Sequence, residues 1–210
     1  MFFVDCNAMT ICDRGTGSPK VSRTRTPPVR GEEIAVSVML EHNAGMIDLP
    51  TVRTILRYGD WANEQSVHAC SNLPDEQLDR VFDIGRGTLR KTLLHILAGE
   101  SVWLRRWQGD CETLWPSEDE PASPATIEGR FTETIRNRDL FLATIDAGRL
   151  TRAVVYRDSK GSLFSASLGD MMLQMCLHST HHRAQAVNIL RRLDVSPPEV
   201  DYMMWVRKPM

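Results

Sequence analysis

The chain reads as all-α, a four-helix bundle with a short hairpin or extended connector before the last long helix. Two observations point there. Apolar residues recur at helical spacing in four stretches of roughly 20 residues each. Breaks rich in proline, glycine and polar residues separate the four, and no internal repeat, glycine-rich phosphate loop or GxSxG elbow appears among them.

Residues 1–45 stand apart. "TGSPKVSRTRTPPVRGEE" is rich in Gly, Ser, Thr, Pro and Arg and carries neither a 3.6 nor a 2.0 apolar period, so a disordered extension is expected. The run "MIDLPTVRTILRYGDWAN" from Met46 also looks like a natural start, which would make the upstream arm extraneous. The bundle domain is placed at 46–210.

The first helix opens with Asp48 as N-cap and Pro50 in the first turn. Its apolar stripe is Val52, Ile55, Leu56, Gly59, Ala62 and Val67, and "NLPDEQLD" ends it. "GTLRKTLLHILAGESVWLRRWQGD" forms the second, closing near Gly109. "WPSEDEPASPAT" follows as an exposed loop. "IEGRFTETIRNRDLFLATIDAG" is a more polar third helix with Gly148 as its C-cap. Two β-prone pieces flank "RDSKG". The fourth helix spans about Leu168 to Leu193, and "SPPEVDYMMWVRKPM" ends in a short apolar segment that packs on the bundle.

Composition narrows the function. Of 210 residues, 42% are hydrophobic and 25% charged, with a net charge of −2 and no basic block, so nucleic acid is not an expected partner. No apolar run approaches the roughly 18 residues of a membrane span, and the N-terminus lacks the basic and apolar regions of a secretory signal. The five cysteines are odd in number and scattered without a CxxC pair, so neither a disulfide framework nor a four-thiolate zinc site is expected, and the cytoplasm is the default compartment.

"HSTHHRAQ" concentrates three of the six histidines in five positions of an otherwise apolar helix. Buried imidazoles are costly without partners. His178 and His182, four apart, stack on one face. On a helical wheel the core face is Leu168, Met171, Met172, Met175, Ala186, Ile189, Leu190 and Leu193. His182 falls inside it, His178 at its edge, and His181 outside. An inward HxxxH pair can bind metal, although such pairs also arise by chance; Ser179 stands where a zinc peptidase would carry its glutamate. A third ligand would come from His95, His42 or His68. His95 is mid-helix among leucines, yet its wheel strip holds Thr92, Gly99 and Arg106, which leaves it between ligand and surface residue. Cys176 is better read as a buried free thiol than as a ligand.

"RYGDWANE" (57–64), "GTLRKTLLHILAGESVWLRRWQGD" (87–110) and "HSTHHRAQAVNILRRLDVSPPEVDYMMW" (178–205) together resemble the DinB/YfiT family of damage-inducible, metal-binding four-helix proteins. The resemblance covers roughly Ile47 to Trp205. It implies a divalent metal held by His95, His178 and His182, and a relationship to transferases and isomerases that use bacillithiol, mycothiol or glutathione. It also implies a homodimer. Two positions depart from the family's pattern: Ala184 replaces a usual glycine, and Gln174 a frequent histidine, where it can still hydrogen-bond to an imidazole.

Three neutral imidazoles leave positions open, as in catalytic rather than structural zinc sites. Zn²⁺ is the first choice on availability, and Ni²⁺ also accepts nitrogen ligands. The expected activity is a metal-dependent thiol S-transferase acting on small electrophiles, with metal-assisted hydrolysis as a related route. The alternative is a non-catalytic metal-binding stress protein in which the ion stabilises the bundle. A di-metal carboxylate bundle is disfavoured by the missing Glu-x-x-His pairs. Asn63, Gln174 and Gln185 are candidates to orient the imidazoles. Arg183 belongs with them on the core side, with Glu100 as its expected ion-pair partner. Trp61, Trp103 and Trp107 read as core or dimer-interface anchors.

Overall fold

A computed structural model describes residues 47–209. The expected extension at 1–45 and His42 lie outside the described residues. Four long helices dominate: α1 (Leu49–His68), α3 (Leu89–Trp107), α4 (Pro124–Ala143) and α6 (Leu168–Arg192). Short helices α2 (Asp75–Leu78), α5 (Ala147–Leu150) and α7 (Tyr202–Val206) fill the connections. Strands β1 (Ala153–Arg157) and β2 (Leu163–Ser167) form an antiparallel hairpin before α6, pairing Val155 with Ser165.

The helix starts follow local chemistry. Asp48 accepts from the Thr51 amide at 2.6 Å, and Thr88, Ser123 and Ser167 cap α3, α4 and α6 in the same way. Such caps satisfy amides that have no partner within their own helix. Gly109 follows α3 at φ +96°, a conformation that favours glycine. The third long helix stops earlier than its sequence suggests. Thr144, whose hydroxyl bonds the Phe141 carbonyl, ends α4, and Gly148 lies within α5 instead of capping it.

All eight predicted core positions of α6 are buried. They contribute to two apolar clusters stacked along the bundle. One joins Leu89, Leu93 and Ile96 of α3 to Ile127 and Phe131 of α4 and Ile189 and Leu190 of α6. The other joins Val52 and Leu56 of α1 to Trp103, Trp107, Leu142, Met171 and Met172. Trp103 and Trp107 are thus core residues, whereas Trp61 is only half-buried, near Tyr58.

Between the clusters, each long helix contributes polar residues to one buried layer. Glu100 accepts from Asn63 at 2.6 Å, Ser179 at 3.1 Å and Arg138 at 3.1 Å. Arg138 also pairs with Asp60. Burial raises the Asp60 carboxyl to about 6, against the pull of Arg138. The expected Arg183–Glu100 ion pair does not form. Asn63 stands between them, its Nδ2 donating to Glu100 and its Oδ1 accepting from Arg183 at 3.0 Å. Arg138, on a helix whose sequence looked merely polar, supplies the cation instead. Burial lowers the Arg183 pKa, and its guanidinium faces the Tyr58 ring at 5.7 Å.

Candidate metal centre

Helices α3 and α6 form the most extensive helix pair of the bundle, and the three histidines face one another across it. One ring nitrogen from each of His95, His178 and His182 lies within 4.8 Å of the other two. Ring centroids are 4.2 Å apart for His95 and His182, 4.5 Å for His178 and His182, and 5.0 Å for His95 and His178.

His95 is 5% exposed. A helical wheel leaves its role open because it assumes one buried face. Residues 92–100 are all buried, since α3 packs against α6, α4 and β1 at once. Gly99, one turn after His95, makes room for His178: a Cβ there would lie 2.8 Å from Cε1 and 2.9 Å from Nδ1 of that ring. That approach admits only glycine.

The supports of the imidazoles come partly from unexpected places. Glu118 Oε1 lies 2.6 Å from His95 Nδ1 and accepts from Trp115 Nε1 at 3.0 Å, while Oε2 accepts from Arg86 Nε at 2.7 Å. The stretch 115–126, expected as exposed loop, instead opens α4 at Pro124, and its Glu118 is 8% and Ala122 7% exposed. The loop folds over the histidines, with the Trp115 ring 5.0 Å from His95 and 6.0 Å from His178. Burial opposes ionisation of Glu118, but His95 and Arg86 outweigh it and hold its carboxyl below the usual range.

Of the orienting residues expected from sequence, Gln185 touches the triad. Its Oε1 lies 2.7 Å from His182 Nδ1, and its amide nitrogen is 2.9 Å from Nε2 of the exposed His181. Asn63 and Arg183 belong to the polar layer around Glu100 and bond to none of the three imidazoles. Arg183 Nη2 donates instead to Thr180 Oγ1 at 2.8 Å. Gln174 is exposed on α6 and makes no hydrogen bond to the triad. His68 is exposed at the end of α1, remote from the cluster.

The residues present fit a divalent cation. Nδ1 of His178 is buried with no hydrogen-bond partner among the described residues, an uncompensated cost in a metal-free centre. Burial, then the neighbouring imidazoles, push His178 down to about 3. Burial and His95 lower His182 to about 4. Both are therefore neutral at pH 7, the form that coordinates metal. With Nδ1 of His95 and of His182 engaged by Glu118 and Gln185, Nε2 of each is left for a ligand. This is the carboxylate–histidine support seen behind metal-bound imidazoles.

Such a helical bundle with a convergent three-histidine centre defines a class of candidate metal proteins. The DinB family model matches residues 39–208, and the chain belongs to the DinB family. A DinB-like protein from Bacillus cereus ATCC 10987 has a similar fold, with a TM-score of 0.56 at 20% identity over 70% of this chain and 95% of that one. No curated protein matches the chain. Among the described residues no helix is long and apolar enough to cross a membrane.

Proposed function

We propose that this protein is a metal-dependent thiol S-transferase acting on small electrophiles, with His95, His178 and His182 as the metal ligands. The observation that carries the reading is the approach of three imidazoles, with outward nitrogens of His95 and His182 held by Glu118 and Gln185, beside a buried His178 nitrogen without a partner among the described residues. When bound, a Zn²⁺ or Ni²⁺ ion supplies a Lewis acid that keeps a thiol ionised in its nucleophilic form.

Among the described residues, the chain offers hydrolysis no free general base beside the triad. A carboxylate or imidazole within reach usually carries the proton transfers of metal-assisted hydrolysis. Glu118, the carboxylate bonded to the triad, is occupied on both oxygens by His95, Trp115 and Arg86. A thiol held at His95, His178 and His182 through the ion would act as its thiolate, its proton released to solvent. Trp115 covers one side of the triad, restricting water and offering an apolar wall to the electrophile. The expected homodimer and the preference for zinc belong to the same proposal.

Metal content by ICP-MS, on protein purified without an affinity tag, tests the first part. About one equivalent per chain, lost in His178→Ala, supports the ligand set. Wild type that stays folded and takes up neither Zn²⁺ nor Ni²⁺ overturns it. Thiol-dependent consumption of an electrophile panel tests the second part. Full metal loading without such turnover would leave the ion as a stabiliser of the bundle.

A further inference from the structure

Resting on the thiol reading above, we propose that the thiol taken by this site also carries a carboxylate, and that Arg86 receives it. Arg86 lies in the segment between α2 and α3 and is anchored rather than free to wander. Its Nε donates to Glu118 Oε2 at 2.7 Å, and the other oxygen of that carboxylate holds His95. The guanidinium therefore sits one carboxylate away from a member of the triad.

The same segment rests on the other side of the site. Gly85 adopts φ +52°, and a Cβ there would collide with Oε1 of Gln185, the atom that meets His182 Nδ1. The backbone before Arg86 is thus seated against the residue that orients His182.

One edge of the guanidinium is left for a ligand. The side chain is 29% exposed, and Nη1 and Nη2 hydrogen-bond to no described residue. Neighbouring cations are committed elsewhere. Arg90 is held by Asp75, Asp79 and the Ala122 carbonyl, and Lys91 pairs with Asp119 at 2.6 Å. A planar fork with two unspent nitrogens suits a carboxylate.

Charge balance points the same way. Coordinating imidazoles are neutral, and Arg86 cancels Glu118, so a divalent ion at the triad keeps its full charge in a half-buried setting. A thiolate alone would offset half of that. A thiolate carrying a carboxylate offsets all of it, and the thiol proton leaves to solvent on binding.

The test uses the full chain loaded with Co²⁺, whose sulfur-to-cobalt charge-transfer absorption reports thiolate coordination directly. The probes are 3-mercaptopropionate and its neutral methyl ester. Wild type is expected to bind the acid roughly ten- to hundredfold more tightly, the scale of a charge-assisted hydrogen bond. Arg86→Met should erase that preference, weakening the acid more than the ester. A variant that merely disturbed Glu118 would weaken both probes alike. Equal affinities in wild type overturn the inference and leave the thiol reading intact. Absorption with neither probe overturns the thiol reading and the inference with it. A preference retained in Arg86→Met removes the assignment to Arg86. Should that variant fail to load cobalt, the wild-type comparison together with Arg86→Gln still decides.

Discussion

Glu118 Oε1 stands 2.6 Å from Nδ1 of His95, reaching it from a loop 23 positions further along the chain. The contact ties the 108–123 connection to the centre of the bundle and fixes which nitrogen His95 turns toward its partners. Glu118→Ala should therefore weaken Zn²⁺ binding by about ten- to hundredfold, the usual effect of removing such a support. Glu118→Gln, which keeps one acceptor, should lose less. Competition with a chromophoric chelator measures both. Unchanged affinity in Glu118→Ala would separate this carboxylate from the metal site.

Gly99 offers a cleaner separation of site from fold. Alanine is favoured over glycine within a helix by about 1 kcal/mol, so Gly99→Ala should not lower the melting temperature of the metal-free protein through propensity. Its Cβ would nevertheless press on the His178 ring at 2.8–2.9 Å and turn it away. The expected result is a folded protein whose metal affinity has fallen at least about tenfold, an estimate from ligand misplacement. Parallel calorimetry and chelator titration would show it.

Metal-free protein should lose stability as acid is added. His178 and His182 have folded pKa values of about 3 and about 4, below the ordinary 6.5. Between those values and 6.5 the unfolded chain binds the extra protons. Their contribution to stability is thus present above pH 6.5 and declines as pH falls toward 4 and then 3. Each imidazole adds a slope of up to about 1.4 kcal/mol per pH unit. Urea midpoints from pH 7 to pH 4.5 should fall in wild type, and less steeply in a His178→Phe variant. Equal slopes would show that His178 is not held neutral by burial.

The polar layer should behave as a structural unit. Glu100 accepts from Asn63, Arg138 and Ser179 while 2% exposed. Glu100→Ala leaves Arg138 with Asp60 alone and strips two further donors. A loss of about 3–5 kcal/mol is expected, the range for breaking a buried ion pair from one side. Denaturant unfolding measures it. A loss below about 1 kcal/mol would mean that water replaces the carboxylate.

Much of this architecture was legible in one dimension. The period of "LGDMMLQMCLHSTHHRAQAVNILRRL" marked the buried face of α6 and placed His182 on it and His181 off it, because a single helix packed on one side obeys a wheel. Asp48 announced its cap, and "RDSKG" its hairpin, through local chemistry alone. His95 was harder. Nearly every face of α3 is covered, so the polar strip with Thr92 and Arg106 that the wheel shows is itself buried and does not mark a solvent face.

Glu118 and Arg86 were missed for a different reason. "WPSEDEP" has the composition of a solvated loop, and acidic residues in such loops are usually exposed. Its one hint was Trp115, a large apolar residue that a loop has no local reason to carry. The pairing of Glu100 with Arg138 was equally hidden, since an amide placed between Arg183 and Glu100 leaves no trace in spacing.

The sequence by itself determined the helical class, the starts of α1 and α6, the buried face of α6 and the histidines that lie along it. Those properties depend on neighbours within a turn or two, where rise and rotation are known in advance. Only the tertiary structure decided that His95 meets His178 and His182, that Glu118 and Arg86 close around them, and that Arg138 neutralises Glu100. Those contacts join residues from different elements, and their partners are set by how helices and loops settle on one another.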